Sequence, residues 1–101
     1  MVETARVSLV TVIAAFELED RLVHDLRALG VKWYTTGKVD GRGLHGARMA
    51  GLTDAPNMRL EALVPAEVAG RVLQRLATKY QGQPLIGYVH EVLAVPSEHF
   101  E

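Results

Sequence analysis

The sequence predicts an α+β domain with the element order β-α-β-β-α-β, and three features carry that prediction. Two stretches of helical period each follow a strand-like run. A glycine-rich segment without periodicity separates the two middle runs. The first and last runs are apolar on both faces, which a solvated hairpin strand would not be.

Residues 7–15, VSLVTVIAA, are β-branched and free of turn signals, so they read as a strand. Leu18, Leu22, Leu26 and Leu29 then fall on one helical stripe with Val23 beside it, while Glu19, Asp20, Arg21, Asp25 and Arg27 are expected to face outward. Gly30 stands where a left-handed C-cap belongs. Residues 31–39, VKWYTTGKV, favour a strand, and residues 58–64, MRLEALV, return to strand alternation. Pro65 suits the first position of a second helix, whose stripe is Val68, Val72 and Leu76 with Ala69 and Leu73; Gly70 weakens it. Gln81 to Pro84 read as a turn and residues 85–95 as the last strand, with an unpatterned, mobile tail from Pro96 to Glu101. This order implies a ferredoxin-like sandwich, an antiparallel sheet with both helices on one face.

Two helices cover one sheet face only. Yet Val7, Leu9 and Ile13 oppose Val10, Val12 and Ala14, and Leu85, Val89, Leu93 and Val95 oppose Ile86, Tyr88, Val92 and Ala94. A sheet apolar on both faces with no spare element to cover it predicts self-association.

A chain of 101 residues makes one domain, residues 1–101. The formal net charge of −1 argues against a broad nucleic-acid or anionic-membrane surface. The absence of cysteine excludes disulfides, thiolate metal sites and cysteine nucleophiles. No apolar run approaches the roughly 18 residues that span a bilayer, and the start of the chain enters the first strand without a leader. A cytoplasmic protein with no membrane insertion is the expectation.

The segment Gly41-Arg42-Gly43-Leu44-His45-Gly46 matches G-x-G-x-x-G formally, but it follows the second strand and no helix succeeds it, so a dinucleotide fingerprint is a poor reading. The physics of the motif still holds. Glycines let backbone N–H groups approach an anion, and Arg42 and Arg48 offer bidentate contacts to phosphate. His45 alone of the four histidines sits among such groups, and none lies at zinc-motif spacing. Glu61 is the carboxylate placed to meet a ligand, with ordinary strand pairing as its bland alternative. Neither Ser8 nor Ser97 lies in a nucleophile elbow, so no catalytic residues are assigned and no enzyme is expected.

The run Phe16-Glu17-Leu18-Glu19-Asp20, the helix ending Leu29-Gly30-Val31, the strand Tyr34-Thr35-Thr36 and the loop from Gly41 to Arg48 resemble, in that order, the PII signal-transduction proteins. Lys79-Tyr80 and Glu91-Val92-Leu93 resemble more closely the PII-like branch associated with bicarbonate uptake and carboxysomes, the SbtB type. The resemblance covers about residues 7–95.

It implies a PII-like homotrimer with adenine nucleotides in clefts between subunits and a T-loop, about residues 41–56, that controls a protein target. That target would be a bicarbonate transporter or a carboxysome component. On this resemblance Thr35 lies near the adenine, and Gly41, Arg42 and Gly43 line the cleft. His45 and Arg48 reach phosphate, Glu61 contacts the ribose or base, and Gly87 and Tyr88 form the far wall.

The sequence departs from the nitrogen-regulating members. The segment Lys79 to Gly87 is short and poor in phosphate donors, and no arginine follows Arg75. Fewer cations favour AMP, ADP or cyclic AMP over ATP, with bicarbonate a candidate co-ligand. A CutA-like metal-responsive trimer and a small enzyme acting on a phosphorylated metabolite stay open as alternatives.

Overall fold

The structure, a computed structural model, describes residues 2–40 and 56–100. Strand β1 (Ala5–Ala15) passes through a 3-10 turn (Phe16–Leu18) into helix α1 (Glu19–Ala28). Strands β2 (Thr35–Val39) and β3 (Asn57–Val64) follow, then helix α2 (Ala66–Lys79), strand β4 (Leu85–Ala94) and a second 3-10 turn (Ser97–Phe100). The sheet has four strands in the order β2-β3-β1-β4, and every neighbouring pair is antiparallel. This is the expected ferredoxin-like arrangement.

Local chemistry sets the element ends. Gly30 adopts φ 110°. Its N–H reaches the Arg27 carbonyl and the Val31 N–H reaches the Leu26 carbonyl, so α1 closes in a Schellman motif that needs the left-handed glycine. Val31 is thereby committed to the helix end, and the expected strand over 31–39 pairs only from Thr35. Pro65 is corrected from first helical residue to N-cap. With ψ at 153° it continues β3, while its carbonyl accepts the N–H groups of Val68 and Ala69.

Register decides which side chains share a face. Val10, Val12 and Ala14 of β1 stand opposite Ala62, Leu60 and Met58 of β3. With Leu22 and Leu26 from α1 and Val68, Val72 and Leu76 from α2 they form the buried core. Burying such side chains stabilises by about 1.5–3 kcal/mol each before chain entropy is counted. The other parity, Leu9, Thr11 and Ile13 with Ile86, Tyr88 and His90 of β4, lies on the face without helices. There Ile86 is 52% and Tyr88 40% exposed, so the apolar open face expected from the sequence is present.

Three further expectations are corrected. Leu73 lies outward on α2. Asp25 is buried, because its carboxylate is held by residues at the end of α2. The tail is not without pattern, since Ser97–Phe100 form a turn that packs beside Trp33. No helix among the described residues is long and apolar enough to cross a membrane.

Candidate functional site

Strand register brings three of the expected site residues into one row. Thr35 on β2 stands opposite Glu61 on β3, Glu61 opposite Thr11 on β1, and Thr11 opposite Tyr88 on β4. Opposed residues share a face, so the row crosses the open face from edge to edge. Thr11 is fully covered by its neighbours, and its hydroxyl oxygen has no hydrogen-bond partner among the described residues. Gly87 lies on the opposite face. A Cβ there would come within 2.5 Å of Leu76 Cδ1, so any side chain at this position makes the Leu76 methyl on α2 move aside.

Glu61 accepts a 3.0 Å hydrogen bond from Arg59, two residues back on the same face of β3. The pair is exposed, which makes it weak in energy. Its strand-pairing role is therefore along β3 and not across the ladder.

Beside this row runs a groove of about 490 Å³. Leu9 and Leu63 form part of its lining together with Thr35 and Glu61, while Trp33, Tyr34, His99 and Phe100 add aromatic surface. The His99 ring lies 5.7 Å from Trp33, and Phe100 meets it edge-on at 4.9 Å. Sequence reading missed the tail's part because Trp33 and His99 lie far apart in the chain, where no local period reaches.

One end of the sheet gathers three connections. The Ala15 N–H donates to the Pro84 carbonyl at 3.0 Å and the Phe16 N–H to the Pro56 carbonyl at 2.9 Å. The turn after α2 and Pro56, just before β3, thus flank the start of α1. Behind that turn Tyr80 donates to Asp25 at 2.5 Å, and Lys79 reaches the same carboxylate at 3.0 Å. Burial pushes the Asp25 carboxyl up, but the Tyr80 and Lys79 bonds and the Lys79 and Arg75 charges outweigh it and hold it below the usual value. Burial and the Asp25 bond push the Tyr80 phenol up to about 12. The Arg21 guanidinium lies 4.8 Å over the Tyr80 ring.

The loop candidates Gly41, Arg42, Gly43, His45 and Arg48 lie outside the described residues. Among the described residues no three histidine, aspartate or glutamate side chains gather as metal ligands.

The model of the nitrogen regulatory protein P-II family matches residues 7–98. The chain belongs to the P-II family. Its fold is similar to that of a candidate PII-like signalling protein from Thermus thermophilus, 38% identical, over 98% of this chain and 99% of that one, with a TM-score of 0.81. It is also similar to CPII from Thiomonas intermedia bound to ADP, AMP and acetate, 20% identical over 98% of each chain, with a TM-score of 0.83. CPII bound to ADP and bicarbonate is 22% identical over 93% of each chain, with a TM-score of 0.77. No curated protein matches the sequence.

Thr35, Glu61 and Tyr88 are displayed on the open face, whereas Gly87 lies on the other face, beneath Leu76 of α2. Arg59 is an open-face cation that sequence reading passed over; the alternation of residues 58–64 carried that signal.

Proposed function

We propose that this P-II chain is a nucleotide-responsive regulator, assembled as a homotrimer, that binds an adenine nucleotide in clefts between subunits. AMP, ADP or cyclic AMP is preferred over ATP. The family match across residues 7–98 carries this reading. CPII, similar in fold, has been solved with ADP and AMP bound.

Two features of the chain support it. The open face presents Ile86 and Tyr88 to solvent, and a second copy is the simplest cover. Thr35 and Tyr88 lie on opposite edge strands, three strand spacings or roughly 14 Å apart. A compact site using both takes the β2 edge of one copy and the β4 edge of the next, a head-to-tail contact that closes into a ring.

In this reading Thr35 meets the base, Glu61 the ribose or base, and the Tyr88 side chain with the Gly87 backbone forms the neighbouring wall. Gly41, Arg42 and Gly43 line the cleft, and His45 and Arg48 take the phosphate. The segment 41–56 carries the nucleotide's state to a protein target. Inorganic-carbon handling is the pathway proposed, with bicarbonate as co-ligand, since CPII has also been solved with ADP and bicarbonate.

Isothermal calorimetry with AMP, ADP, ATP and cyclic AMP tests the proposal. Saturable binding of AMP, ADP or cyclic AMP, tighter than ATP, is expected. Arg48→Ala should weaken it about tenfold or more if that contact is charge-assisted. A folded chain that binds none of the four overturns the nucleotide reading.

A further inference from the structure

The two helices meet on the side of the sheet away from the open face, and their seam gathers positive charge. Arg71, Arg75 and Lys79 follow one another at intervals of four along α2, which stacks them on one face. Like charges at that spacing oppose helix formation. A cation suits the last turn, where Lys79 lies, but Arg71 and Arg75 are in the helix interior. From α1 the Arg21 guanidinium comes to the same place, 4.8 Å over the Tyr80 ring.

A single carboxylate answers them. Asp25 is buried, takes the Tyr80 hydroxyl and the Lys79 ammonium, and also feels the Arg75 charge. Arg21, Arg75 and Lys79 against Asp25 leave two positive charges in excess. Glu17 precedes Arg21 by four residues and Glu67 precedes Arg71 by four. Among the described residues neither forms an ion pair. The whole chain has a formal net charge of −1, so the excess is local.

We propose that this seam is a docking site for a phosphorylated partner protein, with Arg21 and Arg75 gripping the phosphoryl group of a phosphoserine or phosphothreonine and Lys79 beside them. The inference is independent of the nucleotide reading, whose residues Thr35, Glu61 and Tyr88 lie across the sheet.

Charge, geometry and access favour that occupant. A phosphoryl group on a side chain carries about −1.5 to −2 at neutral pH, which matches the local excess. Guanidinium forks hold phosphate oxygens two at a time. Asp25, tied to Tyr80, fixes Lys79 before any ligand arrives and so lowers the ordering cost of binding. Arg21 and Arg71 are exposed and the Lys79 side chain is 44% exposed, so a group on another protein's surface can reach them. Assembly of copies through the open face leaves this helix layer in solvent.

The test is fluorescence anisotropy of the full chain with a labelled peptide that bears one phosphoserine among glycine and alanine. Its unphosphorylated twin is the reference. The phosphopeptide should bind saturably and the twin should not. Arg21→Gln and Arg75→Gln, each checked for an unchanged circular dichroism spectrum, should weaken binding about tenfold or more. Arg27→Gln removes the same charge two residues from Asp25, on a side turned from α2, and should leave binding unchanged. Equal binding of the twin, no binding of either peptide, or equal losses in all three variants overturns the inference. So does displacement of the phosphopeptide by an equal concentration of inorganic phosphate, which would make the free ion the ligand. AMP affinity should be the same in Arg75→Gln as in the unaltered chain. A tenfold loss there would put the cluster in the nucleotide site and overturn a separate docking site, while the nucleotide reading stands. If the chain binds the phosphopeptide as expected but no nucleotide, the functional reading fails and this inference stands.

Discussion

Tyr80, the residue that ends α2, donates a 2.5 Å hydrogen bond to Asp25 in the last turns of α1, and Lys79 closes on the same carboxylate. This clamp joins the two helices at the end where the turn to β4 begins. Asp25 is 5% and Tyr80 2% exposed, so neither can turn to water if the other is lost. Tyr80→Phe keeps the ring but removes the donor. It should cost about 1–3 kcal/mol in urea unfolding. Lys79→Met removes a half-exposed partner and should cost less.

The same pair sets the edges of the stability profile. Asp25 has its folded pKa below the usual 3.8, so it stabilises above that value and the contribution is lost as pH falls through the folded value. Tyr80 has its folded pKa raised from 10.0 to about 12, so its contribution is complete below pH 10 and is lost as pH rises toward 12. Melting temperature measured against pH should fall at both ends. In Tyr80→Phe the alkaline fall should be reduced, and an unchanged profile would show that the phenol is not the titrating group.

Two glycines should respond in opposite directions to the same substitution. Gly30→Ala forces a side chain into φ 110° and should cost about 1–2 kcal/mol. Gly70 is in the exposed interior of α2 with nothing within 4 Å of a Cβ. Gly70→Ala should raise stability by about 1 kcal/mol, since alanine is the better helix former. Thermal unfolding of the two variants at equal concentration checks both signs.

Gly87 tests the contact between β4 and α2. Gly87→Ala places a methyl 2.5 Å from Leu76 Cδ1 and should cost about 1–3 kcal/mol by overpacking. Leu76→Ala alone should cost about 2–5 kcal/mol through its cavity. In the double variant the new methyl occupies part of that cavity, so the combined cost should be less than the sum. Strict additivity would mean that the two positions do not touch.

Those residues also mark where sequence reading succeeds. Gly30 followed a stripe of leucines and was legible as a cap, and the two-sided apolar pattern around Leu9 and Val10 was legible as an open face. Each depends on neighbours within a few positions. Asp25 was read as outward because carboxylates seldom go inside, although its spacing from Leu22 and Leu29 suited the buried stripe. What buries it is Tyr80, a partner 55 positions away. The groove was invisible for the same reason, as Trp33 and His99 come together only once the sheet has formed. The candidate row was half legible: Thr35 and Tyr88 came from family resemblance and Glu61 from its place on the third strand, but that they share a face follows from register alone.

The open face gives the sharpest test of assembly. Ile86 lies in the row Gly37, Arg59, Ile13, Ile86 and is 52% exposed in the single chain. A charge at so exposed a position should change the fold's own stability by no more than about 0.5 kcal/mol. Buried between copies without a partner, the same charge would cost several kcal/mol. Ile86→Glu should therefore keep a native circular dichroism spectrum yet sediment as a single chain at micromolar concentration. Leu73→Glu, an exposed apolar position on α2 of 39% exposure, serves as control and should leave the assembled species intact. If Ile86→Glu sediments like the unaltered chain, the copies do not meet through this face.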